Sequence, residues 1–557
     1  MVAEKKLPLP IGITDYAKIV SQCYYVDKTL LIKDILDEAA AISLFTRPRR
    51  FGKTLNMNML RTFFEKTEAD TSKYFKDKKI WQQGEEYTSH QGKYPVIFLS
   101  FKDAKQNTWE EMYAEICETI RDEFFRHLEL TDSPRVKNKV YFQKIIAGEG
   151  SKVDFSKSIL RLSQMLAEHY GEKVILIIDE YDTPIQSGYV CNFYDDVINF
   201  MRNLLSAGLK DNSNLAFGFL TGILRVAKES IFSGLNNIRV YSVLDRRFST
   251  YFGFTSDEVA AMAAYYDAEE KLSEIKDWYD GYKFGHTEIY NPWSVLNYFS
   301  NDYVAIPYWV QTSGNLVIYE LLGYLNKETF QKLNDLVSEK AVTSIVETNL
   351  VYPDIKSRPE NIFSFLLMTG YLKAVKTTIT PFGDRECELC IPNKELKNVY
   401  YKEIIEHLSA SMSMNTAYAV TKALLEKNSQ LLKQTLNQFL LETISFHDTI
   451  NENYYHGLLL GITLLFHEEY YVRSNRESGD GRYDIALEPK NAASLPGIII
   501  EVKAKRDADE SLTGLAELAL KQIEDKKYDA EMKSRGVAEI YKYGIAFHKK
   551  QVEIVTN

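Results

Sequence analysis

Three runs in this 557-residue chain put ionisable side chains where phosphate chemistry needs them. The first is Arg47-Pro48-Arg49-Arg50-Phe51-Gly52-Lys53-Thr54-Leu55. A small residue ahead of a Lys and a hydroxyl lets backbone N–H groups wrap a phosphate. The ammonium then meets the β and γ oxygens, and the hydroxyl meets Mg²⁺. Arg47 stands where that pattern carries its first glycine, and Arg47, Arg49 and Arg50 make the loop cationic, which suits an anionic ligand. The second run is Val174-Ile-Leu-Ile-Ile-Asp179-Glu180, apolar β-formers ending in two acids. Asp179 is expected to hold Mg²⁺, directly or through water, and Glu180 to polarise an attacking water. The third is Asp484 with Glu501-Val502-Lys503. On a strand, residues i and i+2 share a face, so Glu501 and Lys503 project together. Asp484, on the preceding strand of a hairpin, converges on them. Two carboxylates and an amine fit metal-assisted phosphodiester cleavage: the acids hold Mg²⁺ while Lys503 orients or deprotonates the nucleophile.

Each run also has a purely structural reading. The first could be a basic surface turn ahead of a helix, the second a buried strand whose acids reach solvent, and the third a solvated Glu/Lys pair. Two considerations favour chemistry. The first two runs each sit at a strand end with a helical connection between them, and Ile498–Ile500 reads as a buried strand whose polar end is specialised. His456 reads equally well as a neighbour of the third run and as a hydrogen-bonded core histidine.

The elements that must position these residues follow from hydrophobic period. Ala41–Thr46 is a short apolar strand leading into the cationic loop, and Leu55, Met59, Leu60 and Phe63 recur at helical spacing after it. Tyr94–Phe101 is a second strand, 108–128 an amphipathic helix, and Phe155–His169 another. Val174–Ile178 reads as a strand covered on both faces, 194–208 as a helix, and Leu215–Thr221 as a fourth strand. Strands alternating with helices give a parallel α/β sheet, with strand order undetermined. From Asp257 helical segments dominate, broken at Asp280–Gly285 and Asn291-Pro292. Cys387 and Cys390 form the one close cysteine pair, and a tetrahedral zinc site lacks its other ligands, so a structural role is expected. Helices follow at 401–427, 429–442 and Leu458–Phe466. Strands come next at Tyr470–Arg473, Gly481–Leu487 and Gly497–Lys503, then a helix over Leu512–Lys527 and a strand over Ile540–Phe547.

Composition narrows the class. A content of 45% hydrophobic and 26% charged residues is that of an ordinary globular protein, not a disordered or fibrous one. The net charge of -10 excludes a protein that coats DNA by bulk charge, so nucleic-acid binding must rest on local sites. Five scattered cysteines fit a reducing cytoplasm. No apolar run reaches the ~18 residues needed to span a bilayer, and the start has no apolar segment of the secretory kind.

Phe45-Thr-Arg-Pro-Arg-Arg-Phe-Gly-Lys-Thr-Leu55, the IIDEYDTP segment ending at Pro184, and Leu220-Thr-Gly-Ile-Leu-Arg225 resemble the predicted AAA-type ATPases of bacteria. Tyr25-Val-Asp-Lys-Thr29 and Asn291-Pro-Trp-Ser294 share the resemblance, which covers nearly the whole chain. It implies a nucleotide site of Arg49, Arg50, Phe51, Gly52, Lys53, Thr54, Leu55, Asp179, Thr221 and Arg225, with Thr221 sensing the γ-phosphate. Arg225, Arg246 and Arg247 are candidates for the charge that completes the transition state. It further implies a C-terminal PD-(D/E)XK nuclease-like domain in which Asp484, Glu501 and Lys503 are catalytic. There Glu452 supplies another metal-site acid, and Gln522 with Tyr528 forms a supporting pair.

The expected fold class is therefore α/β: a P-loop NTPase parallel sheet with helices on both faces (1–256), a helical adaptor (257–400), and a PD-(D/E)XK restriction-endonuclease-like domain (401–557). The expected function is that of a cytoplasmic ATPase using ATP and Mg²⁺, coupled to a Mg²⁺-dependent deoxyribonuclease activity on nucleic acid, taken to be DNA. It would work as a homo-oligomer, away from membranes, in defence or genome handling. The alternative is an ATP-switched binding or signalling protein whose nuclease fold is inactive.

Overall fold

Continuous β-branched runs become the central strands of the N-terminal part. Ile42–Thr46 (β1) and Val174–Asp179 (β3) are buried along their whole length, as strands covered on both faces must be. The computed structural model describes residues 6–210, 212–225, 238–309, 327–337, 340–350, 352–358, 360–400, 414–443, 452–463, 466, 469–474, 477–478, 481–492, 495–505 and 511–557. The chain divides into two units, residues 1–317 with 343–396, and residues 318–342 with 397–557.

In the first unit, β1 and β3 join Val96–Ser100 (β2), Leu215–Gly222 (β4) and Ile238–Tyr241 (β5) in a parallel sheet of order β2-β3-β4-β1-β5. Parallel strands need crossovers. The chain supplies Lys53–Phe64 (α1), Trp109–Phe125 (α2), Ser158–Tyr170 (α3), Thr183–Val190 (α4) and Tyr194–Leu209 (α5). The stretch read as one helix over 155–169 is two, because Lys157 separates Lys152–Ser156, capped by a Ser151/Asp154 box, from α3. In such a sheet all the strand C-termini share one edge, where α/β folds bind ligands. Thr46, Ser100, Asp179 and Thr221 therefore arrive together.

Beyond the sheet, Ser256–Tyr265 (α6), Leu272–Tyr279 (α7) and Pro292–Ser300 (α8) enclose a core that includes Val259, Met262, Ile275, Tyr279, Val295 and Tyr298. Among its described residues, the stretch read as dominated by helices also carries five strands. Tyr282–Phe284 (β6) and Thr287–Ile289 (β7) form a hairpin, while Val342–Val346 (β8), Lys373–Ile379 (β9) and Arg385–Cys390 (β10) form a sheet of order β8-β10-β9. These strands are short, β8 alternates buried with exposed residues, and the largely exposed β9 carries the polar run Lys376-Thr377-Thr378, so their sequences lack the apolar runs that mark β1 and β3. Cys387 and Cys390 lie three residues apart on β10, hence on opposite faces, and both are free thiols.

The second unit is built from Met414–Leu425 (α9), Ser429–Thr443 (α10) and Glu452–Thr463 (α11), followed by a mixed sheet. The expected helix at 401–427 lies outside the described residues over 401–413. The sheet contains Tyr470–Ser474 (β11), Ile485–Pro489 (β14), Gly497–Ala504 (β15), Ile540–His548 (β16) and Gln551–Thr556 (β17) in the order β11-β14-β15-β16-β17. Only β15 and β16 run parallel. Leu512–Asp525 (α12) makes their crossover. A two-stranded ribbon, Glu477–Ser478 (β12) with Gly481–Arg482 (β13), precedes Asp484, so the expected strand 481–487 is divided in two. No helix among the described residues is long and apolar enough to cross a membrane.

Candidate functional site

The loop between β1 and α1 turns through two left-handed residues, Arg50 at φ 67° and Gly52 at φ 80°. Gly52 caps α1 directly, so Lys53 and Thr54 occupy the first turn of a helix whose free N–H groups favour an anion. Lys53 is 3% exposed. Its Nζ donates to the carbonyls of Arg47 (3.1 Å) and Pro48 (3.0 Å) and lies 3.4 Å from Glu180 Oε1. A buried ammonium needs such partners.

Asp179 gathers three hydroxyls. Thr54 Oγ1 donates to its Oδ2 at 2.7 Å, Thr221 Oγ1 to its Oδ1 at 2.6 Å, and Ser100 Oγ to Oδ2 at 3.3 Å. Burial, with Glu180 adjacent, pushes the Asp179 carboxyl up, against the pull of Thr221, Thr54 and Lys53. Glu180 moves the other way: against its own burial, Lys53 and Arg49 hold it below the usual range. Its backbone is left-handed at φ 53°, its N–H donates to Thr221 Oγ1 at 3.1 Å, and Thr183 Oγ1 donates to its Oε2 at 3.1 Å. A hydroxyl and a carboxylate oxygen, both hard donors, beside a helix N-terminus fit a divalent ion riding on a phosphate.

The structure separates the loop arginines. Arg47 is fully buried and turned away from the loop mouth. Its guanidinium donates to the carbonyls of Thr46 (2.9 Å), Tyr241 (2.7 Å) and Phe248 (3.3 Å) and lies over the Phe252 and Phe284 rings. The expectation that Arg47 adds charge for an anionic ligand is thus corrected. It ties β1 to β5, and desolvation lowers it to about 10. Arg49 Nη2 donates to Gln186 at 2.6 Å, and Arg50 stacks 4.0 Å over the Trp293 ring. Phe51 is fully buried against Tyr282 and Phe284, so only its backbone serves the loop. Arg225 donates to Asn349 Oδ1 at 2.8 Å, and the exposed Arg247 pairs with Glu38. Neither is bonded to the Lys53–Asp179 cluster.

A cavity of about 250 Å³ opens from Lys53, Thr54 and Glu180 and runs between the loop and α8. Leu55 lines it, and its far walls are apolar and aromatic, with Ile13, Tyr24, Phe254, Trp293 and Leu296 among them. Sequence reasoning missed this wall, and it missed Ser100, although Ser100 ends the second expected strand. It also missed Glu395, which is fully buried, accepts from Ser294 Oγ and Trp309 N, and is pushed up to about 7 by burial.

In the second unit, Glu501 and Lys503 lie two residues apart on β15, with Lys503 Nζ 3.2 Å from Glu501 Oε1. The Asp484 N–H donates to Glu501 Oε2 at 3.3 Å, and Asp484 Oδ2 accepts from Val502 N at 2.8 Å, so the two carboxylates converge. Burial and then Asp484 push Glu501 up to about 7, against the pull of Lys503. Gln522 Nε2 donates to Glu501 Oε1 at 2.5 Å and to Tyr528 Oη at 3.2 Å. Gln522 reaches this far because α12 lies hard on β16. A Cβ at Gly544 would come 2.1 Å from the Ala516 carbonyl oxygen, so only glycine admits the helix. His456 Nε2 sits 3.1 Å from the Asp484 carbonyl oxygen. The side chain of Glu452, which opens α11, lies outside the described residues. Two carboxylates whose mutual repulsion raises one of them suit a divalent cation. Among the described residues no group of three His, Cys, Asp or Glu side chains completes a metal cluster.

Residues 10–232 match the family described as Predicted AAA-ATPase, and residues 450–557 match the PD-(D/E)XK nuclease superfamily. A protein of Azotobacter chroococcum mcd 1, described as an uncharacterized protein in the vnfD 5' region, is 29% identical over 319 residues, 56% of this chain and 56% of that protein. The chain thus spans about half the length of that relative. The molecule is a mixed α/β protein with an AAA-ATPase-like sheet and a C-terminal nuclease-superfamily sheet.

Proposed function

We propose that this chain binds and hydrolyses ATP with Mg²⁺ in an AAA-type module (1–256), joined through 257–400 to a nuclease module (401–557) that cuts DNA. The observation that carries the reading is the convergence of Lys53, Thr54, Asp179, Glu180 and Thr221 at the C-terminal edge of one parallel sheet.

The chain's own groups have distinct tasks. Lys53 exchanges its loop carbonyls and Glu180 for the β and γ oxygens of the nucleotide. Thr54 and Asp179 would hold a divalent ion, which would neutralise phosphate charge. Glu180, freed from Lys53, orients the attacking water and takes its proton. Thr221 keeps Asp179 in its rotamer. Arg49 and Arg50 face the phosphates, the base lies against Trp293, and Arg225 or a neighbouring copy supplies the positive charge that completes the transition state. In the second module Asp484 and Glu501 would hold a divalent ion, which would polarise a scissile phosphate. Lys503 orients the nucleophile, and Gln522 with Tyr528 fixes Glu501. Oligomer formation and a role in defence or genome handling are parts of this proposal drawn from architecture.

Thermal unfolding with and without ATP·Mg²⁺ tests the first module. The parent should gain stability, roughly 2.7 kcal/mol at 100-fold excess over Kd, and Lys53→Ala should gain none. No gain by the parent counts against the site. A second reading, an ATP-switched binder with an inactive nuclease fold, is favoured by the acidic balance of the chain. It predicts no metal-dependent cleavage of duplex DNA.

A further inference from the structure

Asp182 belongs to no role assigned so far, yet it is 2% exposed and ties the turn after β3 to the chain just past β4. Its Oδ2 accepts two backbone donors in succession, Ile223 N at 2.8 Å and Leu224 N at 2.9 Å. Tyr181 closes the same turn from its other side: its hydroxyl donates to Leu224 O at 2.7 Å and its N–H to Thr221 O at 3.0 Å. Between these ties lies Gly222, where a Cβ would stand 2.7 Å from Asp182 Oδ1 and 2.7 Å from the Tyr181 ring. The Gly222 carbonyl in turn accepts from Arg47 N at 3.1 Å, at the root of the phosphate loop. One carboxylate thus fixes residues 221–224 against the turn that carries Asp179 and Glu180, and through Gly222 against the loop that carries Lys53. A buried carboxylate that accepts two backbone N–H groups is a stiff joint, because losing it strands two donors in a dry interior.

We propose that Asp182 is a positioning residue for nucleotide hydrolysis. By clamping residues 222–224 it sets Thr221 against Asp179 and Glu180, and hence the alignment of the attacking water with the γ-phosphate. This rests on the hydrolysis reading above. Asp182 does not line the cavity beside Lys53, Thr54 and Glu180. Its removal therefore acts on the orientation realised in the transition state and leaves ground-state binding by Lys53 and the loop in place.

The test compares phosphate release with the dissociation constant of a non-hydrolysable ATP analogue in the full chain, for the parent, Asp182→Asn, Tyr181→Phe and Gly222→Ala. Asp182→Asn keeps one acceptor and loses the charge. Gly222→Ala drives a methyl group against Asp182 Oδ1 and the Tyr181 ring while keeping the carboxylate and its charge, so the test survives if one variant fails to fold. The expected result is a kcat lowered about tenfold in Asp182→Asn and Gly222→Ala, less in Tyr181→Phe, with analogue affinity within about twofold of the parent in all three. Unchanged kcat overturns the proposal. So does a parallel loss of kcat and affinity, which marks a merely structural residue. A parent that binds the analogue but releases no phosphate refutes the hydrolysis reading itself, and the proposal falls with it.

Discussion

Thr54, in the first turn of α1, donates its hydroxyl to Asp179 at the end of β3 across 2.7 Å, although 125 residues separate them in the chain. Neither residue is held there by the other alone. Thr54 is placed by the left-handed Gly52 that starts α1, and Asp179 by the pairing of β3 between β2 and β4. These two oxygens are the donors that would hold a divalent ion at this strand edge.

Trp293 should matter to nucleotide affinity although it lies in α8, outside the sheet. Its ring lies under Arg50 and lines the cavity beyond the phosphate loop. Stacking of a base on an aromatic ring contributes about 1–3 kcal/mol. Trp293→Ala should therefore weaken ATP binding by roughly 5- to 100-fold, with inorganic pyrophosphate binding unaffected. Calorimetric titration of both ligands measures this. Equal losses for the two would place Trp293 away from the base.

Stability of the first unit should peak over a narrow pH range because two neighbours on α2 and its C-terminal turn pull in opposite directions. Glu123 donates nothing. It accepts from Phe98 N at 2.8 Å and pairs with Arg126 and His127. Against its burial these partners hold it at about 2, below the ordinary 4.5. A depressed carboxyl contributes stability that is complete above 4.5 and is lost as pH falls toward 2. His127 is raised above 6.5 by hydrogen bonds to Glu123 and Glu129, which overcome its burial. Its contribution is complete below 6.5 and is lost as pH rises through the raised value. Denaturant midpoints should be highest between pH 4.5 and 6.5 for this pair, and His127→Gln should flatten the alkaline side while weakening the acid side less, because Arg126 still holds Glu123 down. An unchanged alkaline slope in that variant contradicts the assignment.

Glu395 should work against stability in alkali. Burial raises it to about 7 from 4.5, so the folded state holds its proton more tightly than the unfolded chain. Stability is therefore lost as pH climbs from 4.5 to 7, by on the order of 3 kcal/mol in total. Glu395→Gln keeps acceptors for Ser294 and Trp309 and should raise the unfolding midpoint at pH 8 while changing little at pH 5. A variant less stable than the parent at pH 8 would show the carboxylate ionised and well paired in the fold.

In the second unit, Gln522→Ala should uncouple Glu501 from Tyr528, lowering Mn²⁺-dependent cleavage of a labelled duplex by about 10- to 100-fold, since such supporting partners have effects of that size. Lys503→Ala should abolish cleavage, and neither variant should alter stabilisation by ATP·Mg²⁺. Cleavage undiminished in Lys503→Ala excludes this site as its source.

The parts of this fold that were readable in the sequence are those where one physical demand fixes the residue type. A left-handed turn ahead of a helix asks for Gly52, a doubly covered strand for Val174–Ile178, and a shared strand face for Glu501 and Lys503. Direction was not readable. Arg47 and Arg50 sit three residues apart in one basic run, yet Arg47 points into the core because the carbonyls of Thr46, Tyr241 and Phe248 receive its guanidinium there, and β5, which ends at Tyr241, is too short and mixed to announce itself. The strand order, and with it the meeting of Ser100 and Asp179, depends on pairings between segments far apart in the chain. Nothing in the local sequence pattern marks Asp182 or Glu395 as buried; tertiary packing does that. The last strand, β17, did carry a signal in the alternation of Val552 and Ile554, both buried.

Phosphate release from ATP by the purified full chain, measured side by side for the parent, Lys53→Ala and Glu180→Gln, tests the central claim most directly. The account predicts Mg²⁺-dependent turnover by the parent, none by either variant, and retained ATP binding by Glu180→Gln alone. Turnover surviving in Lys53→Ala, or a parent that neither binds nor hydrolyses ATP, would contradict it.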